Sequence, residues 1–419
     1  MLISAFGVFS VLAMTCPAGA ALDLGPETIV QAGGVDLTVT GYSVPSFADW
    51  DNDGLCDLVV GEGGDGITEA KVRVYRNLGT VQEPAFDTYF FVQAGGGDLI
   101  LTASGCLGLF PRTTYWDADA RKDLLVGTAQ GNVRIYLNIG SDESPIFDAG
   151  TTLQVGSPGT KVDISVGGRA CPTHVDWDHD GIRDLVVGGL DGRIYLFINE
   201  GSENSPDFLA TAHAQTSGGD LYVSGTRSSP VIADFDDDEL ADILTGNTNG
   251  QLLLYSNTGS ETTPIFGSYV AIEADGVPID LPSYARSRPF MCDWSNDGYP
   301  DVVIGAYGGR LHLFEGEENL NPVPIPESLL TLSEPWPNPF NPRVNLTLEL
   351  AEAMPIRVVI FDIRGRQVQV CTDKNLATGS TRITWAGNDA QGRKMPAGVY
   401  FAQVQAPRAT LTKRLVLVR

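Results

Sequence analysis

DWDHDGIRDLVVG, residues 176–188, sets Asp at positions one, three, five and nine of a loop, Gly at position six, and an apolar run behind them. Alternate carboxylates on a tight loop can converge on one point, and Gly tolerates the left-handed backbone such a turn needs. The segment has four ungapped companions: DWDNDGLCDLVVG from Asp49, YWDADARKDLLVG from Tyr115, DFDDDELADILTG from Asp234 and DWSNDGYPDVVIG from Asp293. Successive starts lie 66, 61, 58 and 59 residues apart, and each copy has a Pro four residues earlier, at Pro45, Pro111, Pro172, Pro230 and Pro289. Downstream come a Gly and an alternating stretch, as in GRIYLFINEGS from Gly192, and then in four copies Pro and Phe, as in Pro264-Ile265-Phe266.

Each unit thus offers four short strands separated by turn residues. Four strands at a period near sixty residues are the signature of a β-propeller blade. No stretch sustains a helical period, so the fold class is all-β, with five blades. The last unit stops after its third strand at Phe314, while TIVQAGGVDLTVTG from Thr28 resembles FVQAGGGDLILTASG from Phe91 in mid-unit. The N-terminal stretch is therefore expected to supply the missing strand, with Ile29 beside the strand near Leu311, which closes the propeller and removes an open edge.

The 419 residues carry 52 acidic and 27 basic side chains, a net charge of -25. That balance disfavours nucleic acid and anionic lipid as partners. It is uneven: residues 333–419 hold 12 basic and 6 acidic side chains, and the rest of the chain 15 and 46. Opposite charge in two segments points to two domains. Residues 1–20, an apolar run ending in Ala18-Gly19-Ala20, read as a secretory signal peptide without the usual basic start. A lipid anchor at Cys16 is the rival reading. No other stretch is long and apolar enough to be a transmembrane segment. The five later cysteines lack CxxC spacing, so buried free thiols are expected.

The acidic loops are candidate Ca²⁺ sites, since that ion takes six to eight oxygens at about 2.3–2.6 Å. They are not EF-hands: position twelve holds Val60, Val126, Val187, Thr245 or Ile304 instead of Glu, and a strand follows. The pattern resembles the FG-GAP or VCBS repeats of integrin-like propellers, over residues 21–316. That resemblance implies as ligands Asp49, Asp51, Asp53, the Leu55 carbonyl and Asp57 in loop one, and Asp176, Asp178, Asp180, the Ile182 carbonyl and Asp184 in loop three. Loop two has Tyr115 at position one and Ala120 at six, leaving Asp117, Asp119 and Asp123. Loop four offers Asp234, Asp236, Asp238, the Leu240 carbonyl and Asp242, with Glu239 replacing Gly, and loop five Asp293, Ser295, Asp297, the Tyr299 carbonyl and Asp301. Asx turns without metal are the alternative use of the same residues. In the resembling family these loops face away from the ligand side, so the ion is expected to be structural and to raise thermal stability.

Three residues before the repeated Pro the units carry Tyr42, Gly108, Arg169, Arg227 and Arg286. Blades related by rotation would set these in a ring at the channel mouth opposite the acidic loops. Arg169, Arg227 and Arg286 could there hold a carboxylate or sulfate, as on a sugar acid; pairing with an acid of the neighbouring blade is the alternative. Catalytic signatures are lacking: there is no HExxH and no GxSxG, and GEGGDG from Gly61 leads into a strand where a dinucleotide site needs a helix. His174, His179, His213 and His312 fall at unrelated positions of the units.

Residues 317–332 form a Pro-rich acidic linker. From 333 to 419 alternating strands with Gly and Asn turns read as a small Ig-like β-sandwich. Pro337-Asn338-Pro339-Phe340-Asn341-Pro342, Asp362-Ile363-Arg364-Gly365-Arg366, Trp385 with Asp389 and Gly392, and Gly398-Val399-Tyr400 resemble the C-terminal sorting domain of type IX secretion cargo, related to the flagellar hook-capping Ig-like module. Trp336 stands where that domain usually opens on Tyr. The resemblance implies the type IX machinery as a partner and delivery through the outer membrane, to the cell surface or the medium; an adhesive sandwich without a sorting role is the alternative. The whole chain thus reads as an exported Ca²⁺-binding propeller that recognises a glycan or a surface protein. A secreted polysaccharide lyase or hydrolase on the same scaffold is the second reading, and a purely structural surface protein the third.

Overall fold

The structure, a computed structural model, describes residues 22–64, 66–103, 108–117, 119, 121–236, 238, 240–282, 286–317, 330–333, 335–350, 354–362, 367–406 and 409–418. The signal segment, Cys16, Cys106, Ala120, Glu239, most of the linker and Ile363 to Arg366 lie outside these. The described residues contain strands and no helix. They form two compact units, the first ending at Glu318 and the second starting at Asn319.

The first unit is built from five four-stranded antiparallel sheets, one per sequence repeat. In the third repeat Cys171–Val175, Asp184–Gly188, Ile194–Phe197 and Ala212–His213 pair in chain order. The second strand is buried throughout in every copy, which is why it reads as a continuous apolar run and not an alternating one. In the fifth repeat Arg288–Cys292, Asp301–Gly305 and Leu311–Phe314 take their fourth strand from the other end of the chain: Thr28 pairs with Leu313 and Ile29 with His312.

Side chains from facing sheets make five apolar clusters, one for each pair of neighbouring repeats. One of them joins repeat five to repeat one, through Leu58, Val60 and Tyr75 against Trp294, Val303 and Leu313. The Gly that ends each second strand explains the close approach. A Cβ at Gly188 would stand 2.4 Å from the Ser228 carbonyl of the next repeat, and one at Gly305 would stand 2.3 Å from that of Ser43 in the first. The same serines seal the seams. Ser228 Oγ donates to the Arg193 carbonyl at 2.5 Å and Ser43 Oγ to that of Arg310 at 2.6 Å. The first strands of the repeats also touch in cyclic order, with Arg288–Cys292 against Val44–Ala48.

The second unit has a three-stranded sheet (Leu330–Leu332, Val344–Leu350, Gly379–Trp385) and a four-stranded one (Gln367–Leu376, Met354–Asp362, Gly398–Ala406, Ala409–Leu417). Trp385 fills its core, with ring centroids 5.5 Å from Phe340 and 4.9 Å from Tyr400. The Pro-Asn-Pro-Phe segment owes its composition to the last strand. Asn338 Oδ1 accepts from the Val416 amide at 2.8 Å and its Nδ2 donates to the Arg414 carbonyl at 2.8 Å, so the side chain replaces the ladder bonds that Pro cannot make.

Candidate metal loops

Each acidic loop joins the first strand of a sheet to the second, and the roles of its carboxylates divide by position. Position five makes the turn: Asp53, Asp119, Asp180, Asp238 and Asp297 each accept the amide two residues on, at 2.8 to 2.9 Å. Position one gathers the amides of the tip, as where Asp49 accepts from Asp53 at 3.1 Å and from Gly54 at 3.0 Å. Gly54, Gly181 and Gly298 adopt φ near +90°, so position six needs Gly there, and position four is also left-handed at Asn52, His179 and Asn296.

Position nine is buried and tied on both sides. Asp184 Oδ2 accepts the Trp177 amide at 2.9 Å and Oδ1 the Asn199 amide at 2.7 Å. Asp57, Asp123 and Asp242 repeat the arrangement with Asn77, Asn138 and Asn257, and Asp301 does so with Gly316. Burial pushes the carboxyls of Asp57, Asp123, Asp184 and Asp242 up to about 6 and that of Asp301 to about 7, with nearby loop carboxylates adding to the rise.

The Asn partners went unread in the sequence, although Asn-x-Gly-Ser/Thr recurs at Asn77, Asn138, Asn199 and Asn257. Asn199 Oδ1 accepts from Gly201 at 3.0 Å and Asp207 at 2.9 Å, while Nδ2 donates to the Ser202 and Arg183 carbonyls at 3.2 Å. It links the acidic loop to the turn between third and fourth strands.

The residues present fit a hard cation. Carboxylate oxygens of Asp49, Asp51 and Asp53, of Asp176, Asp178 and Asp184, and of Asp234, Asp236 and Asp242 lie within 4.8 Å of one another. Asp51 Oδ1, Asp176 Oδ1, Asp178 Oδ1 and Ser295 Oγ are buried without a hydrogen-bond partner. Buried oxygens left so are costly unless an ion or water meets them. Turn-making hydrogen bonds account for position five and for part of position one, and leave the orphaned oxygens of Asp51, Asp176 and Asp178 unexplained. Among the described residues, Asp117, Asp119 and Asp123 of loop two make no such cluster, and neither do the acids of loop five, where the orphaned oxygen is the Ser295 hydroxyl at position three.

The three arginines of the expected ring differ in burial. Arg169 is only 1% exposed, and its guanidinium donates to the Ser228 carbonyl and Ser229 hydroxyl of the next repeat, 5.1 Å from the Phe110 ring. Its contacts with the next repeat include these two serines. Arg286 donates to the Tyr42 hydroxyl, and Arg227 is half-buried. All three have a left-handed backbone, at φ 52°, 61° and 56°. Arg112 and Arg288 are buried beside them, over Phe290 at 5.0 Å and Tyr42 at 4.6 Å. Inner-strand guanidiniums therefore stack on aromatic rings, which gives each an apolar seat. Of the thiols, Cys171 and Cys292 are buried and Cys371 half-buried, but Cys56, at position eight of loop one, is exposed.

Residues 176–245, which span loops three and four, match the FG-GAP-like repeat, and residues 340–410 match the FlgD Ig-like domain. Integrin alpha-4 of Xenopus laevis is 26% identical over 204 residues, which cover 44% of this chain and 18% of that protein. The chain therefore spans less than a fifth of the length of this curated relative. Similar solved structures include PorZ, a bacterial surface component of the type IX secretion system of Porphyromonas gingivalis (17% identical, 90% of this chain, 51% of that chain, TM-score 0.34). The Dos1 propeller is another (12% identical, 66% of this chain, 56% of that chain, TM-score 0.27). The chain thus matches an FG-GAP-like repeat over residues 176–245 and a FlgD Ig-like domain over residues 340–410, and its described residues are all-β.

Proposed function

We propose that this protein is an exported, calcium-stabilised, five-bladed propeller that serves as a surface recognition or adhesion module. The observation that carries the reading is the acidic loop repeated on five sheets, matched over residues 176–245 by an FG-GAP-like repeat and leaving buried oxygens for a cation to meet. Cyclic contact of the repeats and the pairing of Ile29 with His312 support a ring closed by the N-terminal strand. Bound calcium would be held by the loop carboxylates and would tie first to second strands, so its role is structural. The Ig-like domain, with its basic charge, is the address that hands the chain to a type IX secretion apparatus.

Binding of the full chain to a glycan array and to surface-protein extracts, with calcium and with chelator, tests the recognition role. A saturable, calcium-dependent partner supports it, and turnover of a bound glycan would move the protein to the enzyme class. For the address, a chain ending at Ser333 should accumulate in the periplasm; its normal delivery to the surface would remove the sorting role.

A further inference from the structure

Loop two keeps three acids of the pattern but differs from the other loops at position seven, where Arg121 stands in place of Leu55, Ile182, Leu240 or Tyr299. The Arg121 side chain folds back into its own loop. Nε donates to Asp119 Oδ2 at 2.7 Å, Nη2 donates to the same oxygen, and Nη1 donates to the Gly140 carbonyl at 3.1 Å. The Arg121 amide takes the other oxygen, Asp119 Oδ1, at 2.9 Å. One guanidinium thus neutralises the position-five carboxylate and ties the loop to the turn beyond the third strand. At position one, where the other loops place a carboxylate, the Tyr115 carbonyl accepts from Arg183 Nη2 of repeat three at 2.9 Å. The acids of this loop also differ in state. In loops one and three Asp51, Asp176 and Asp178 each keep a buried oxygen with no hydrogen bond, whereas Asp117, Asp119 and Asp123 of loop two keep none.

We propose that the Arg121 guanidinium takes the place of the cation in loop two, so that this repeat is clamped permanently while its neighbours are clamped only when calcium is bound. Arg suits the task because its charge is never lost and its fork matches a carboxylate. The inference rests on the calcium reading of the other loops. Removal of calcium then loosens loops one, three and four and leaves loop two as a fixed point.

Hydrogen exchange of the full chain, followed in peptides covering 115–127 and 176–188, tests this in calcium and in chelator. In the wild type, chelation should speed exchange in 176–188 about tenfold and leave 115–127 unchanged. In Arg121→Gln, 115–127 should exchange about tenfold faster in both conditions, with 176–188 still responding to calcium. Arg121→Lys, which keeps the charge without the fork, should fall between. Chelation that loosens 115–127 of the wild type as much as 176–188, or a silent Arg121→Gln, overturns the proposal. Failure of 176–188 to respond, in contrast, removes the calcium reading of the other loops and with it the contrast drawn here.

Discussion

The Asp at position nine is where loop and sheet meet, and its chemistry gives the repeat a pH dependence. Its carboxyl binds a proton more tightly in the folded chain, at about 6 for Asp184 and about 7 for Asp301, than in the unfolded one. Without metal, the stability tied to these protons is present below the ordinary carboxylate range and is lost as pH rises through 6 to 7. Metal-free protein should therefore melt at lower temperature at pH 8 than at pH 5, and calcium should shrink that difference; a calorimetric series across this range checks both. Asn199 offers a test free of metal. Buried to 2% exposure with four hydrogen bonds, it should cost about 2–3 kcal/mol on Asn199→Ala, measured by urea unfolding and equal with and without calcium. The Asp ladder was legible in the sequence because its spacing is local. The buried seat of Arg169 was not, because its partners Ser228 and Ser229 lie sixty residues away on the next repeat.

Among the elements, the first three strands of every repeat could be read from one unit alone, since apolar runs and turn residues mark them. The strand borrowed by repeat five, at Thr28–Ile29, was legible only by comparison between units. Beyond each fourth strand lies a small hairpin, such as Gln93–Ala94 with Gly97–Asp98, which the sequence reading did not separate out. It is fixed by the next repeat: Gly95 donates to the Phe147 carbonyl at 3.0 Å, as Gly33 does to that of Phe86 at 2.8 Å. The repeated Phe is thus a belt between repeats as well as a core residue. Two variants test the seams. Gly188→Ala places a methyl against the Ser228 carbonyl and should destabilise by about 3 kcal/mol, since backbone must move. Deleting residues 22–30 bares the edge of Leu311–Phe314, so the truncated chain should self-associate in sedimentation velocity where the full chain does not.

For the whole molecule, the net charge of -25 resolves into two parts with different uses. Twenty of the 52 acids fall between positions one and nine of the five loops, so much of the acidity is gathered at one kind of turn. The basic side chains that offset it are concentrated in the Ig-like unit, consistent with a separate task for that unit. Calcium would convert self-repulsion within the loops into cohesion between strands, and the cost of its absence should be felt by the sheets as a body. Thermal unfolding of the full chain in millimolar calcium and in excess chelator at pH 7.5 reads this directly. The midpoint should rise by about 5 °C or more with calcium and fall back on chelation. An identical midpoint in both solutions is incompatible with loops built to hold the ion.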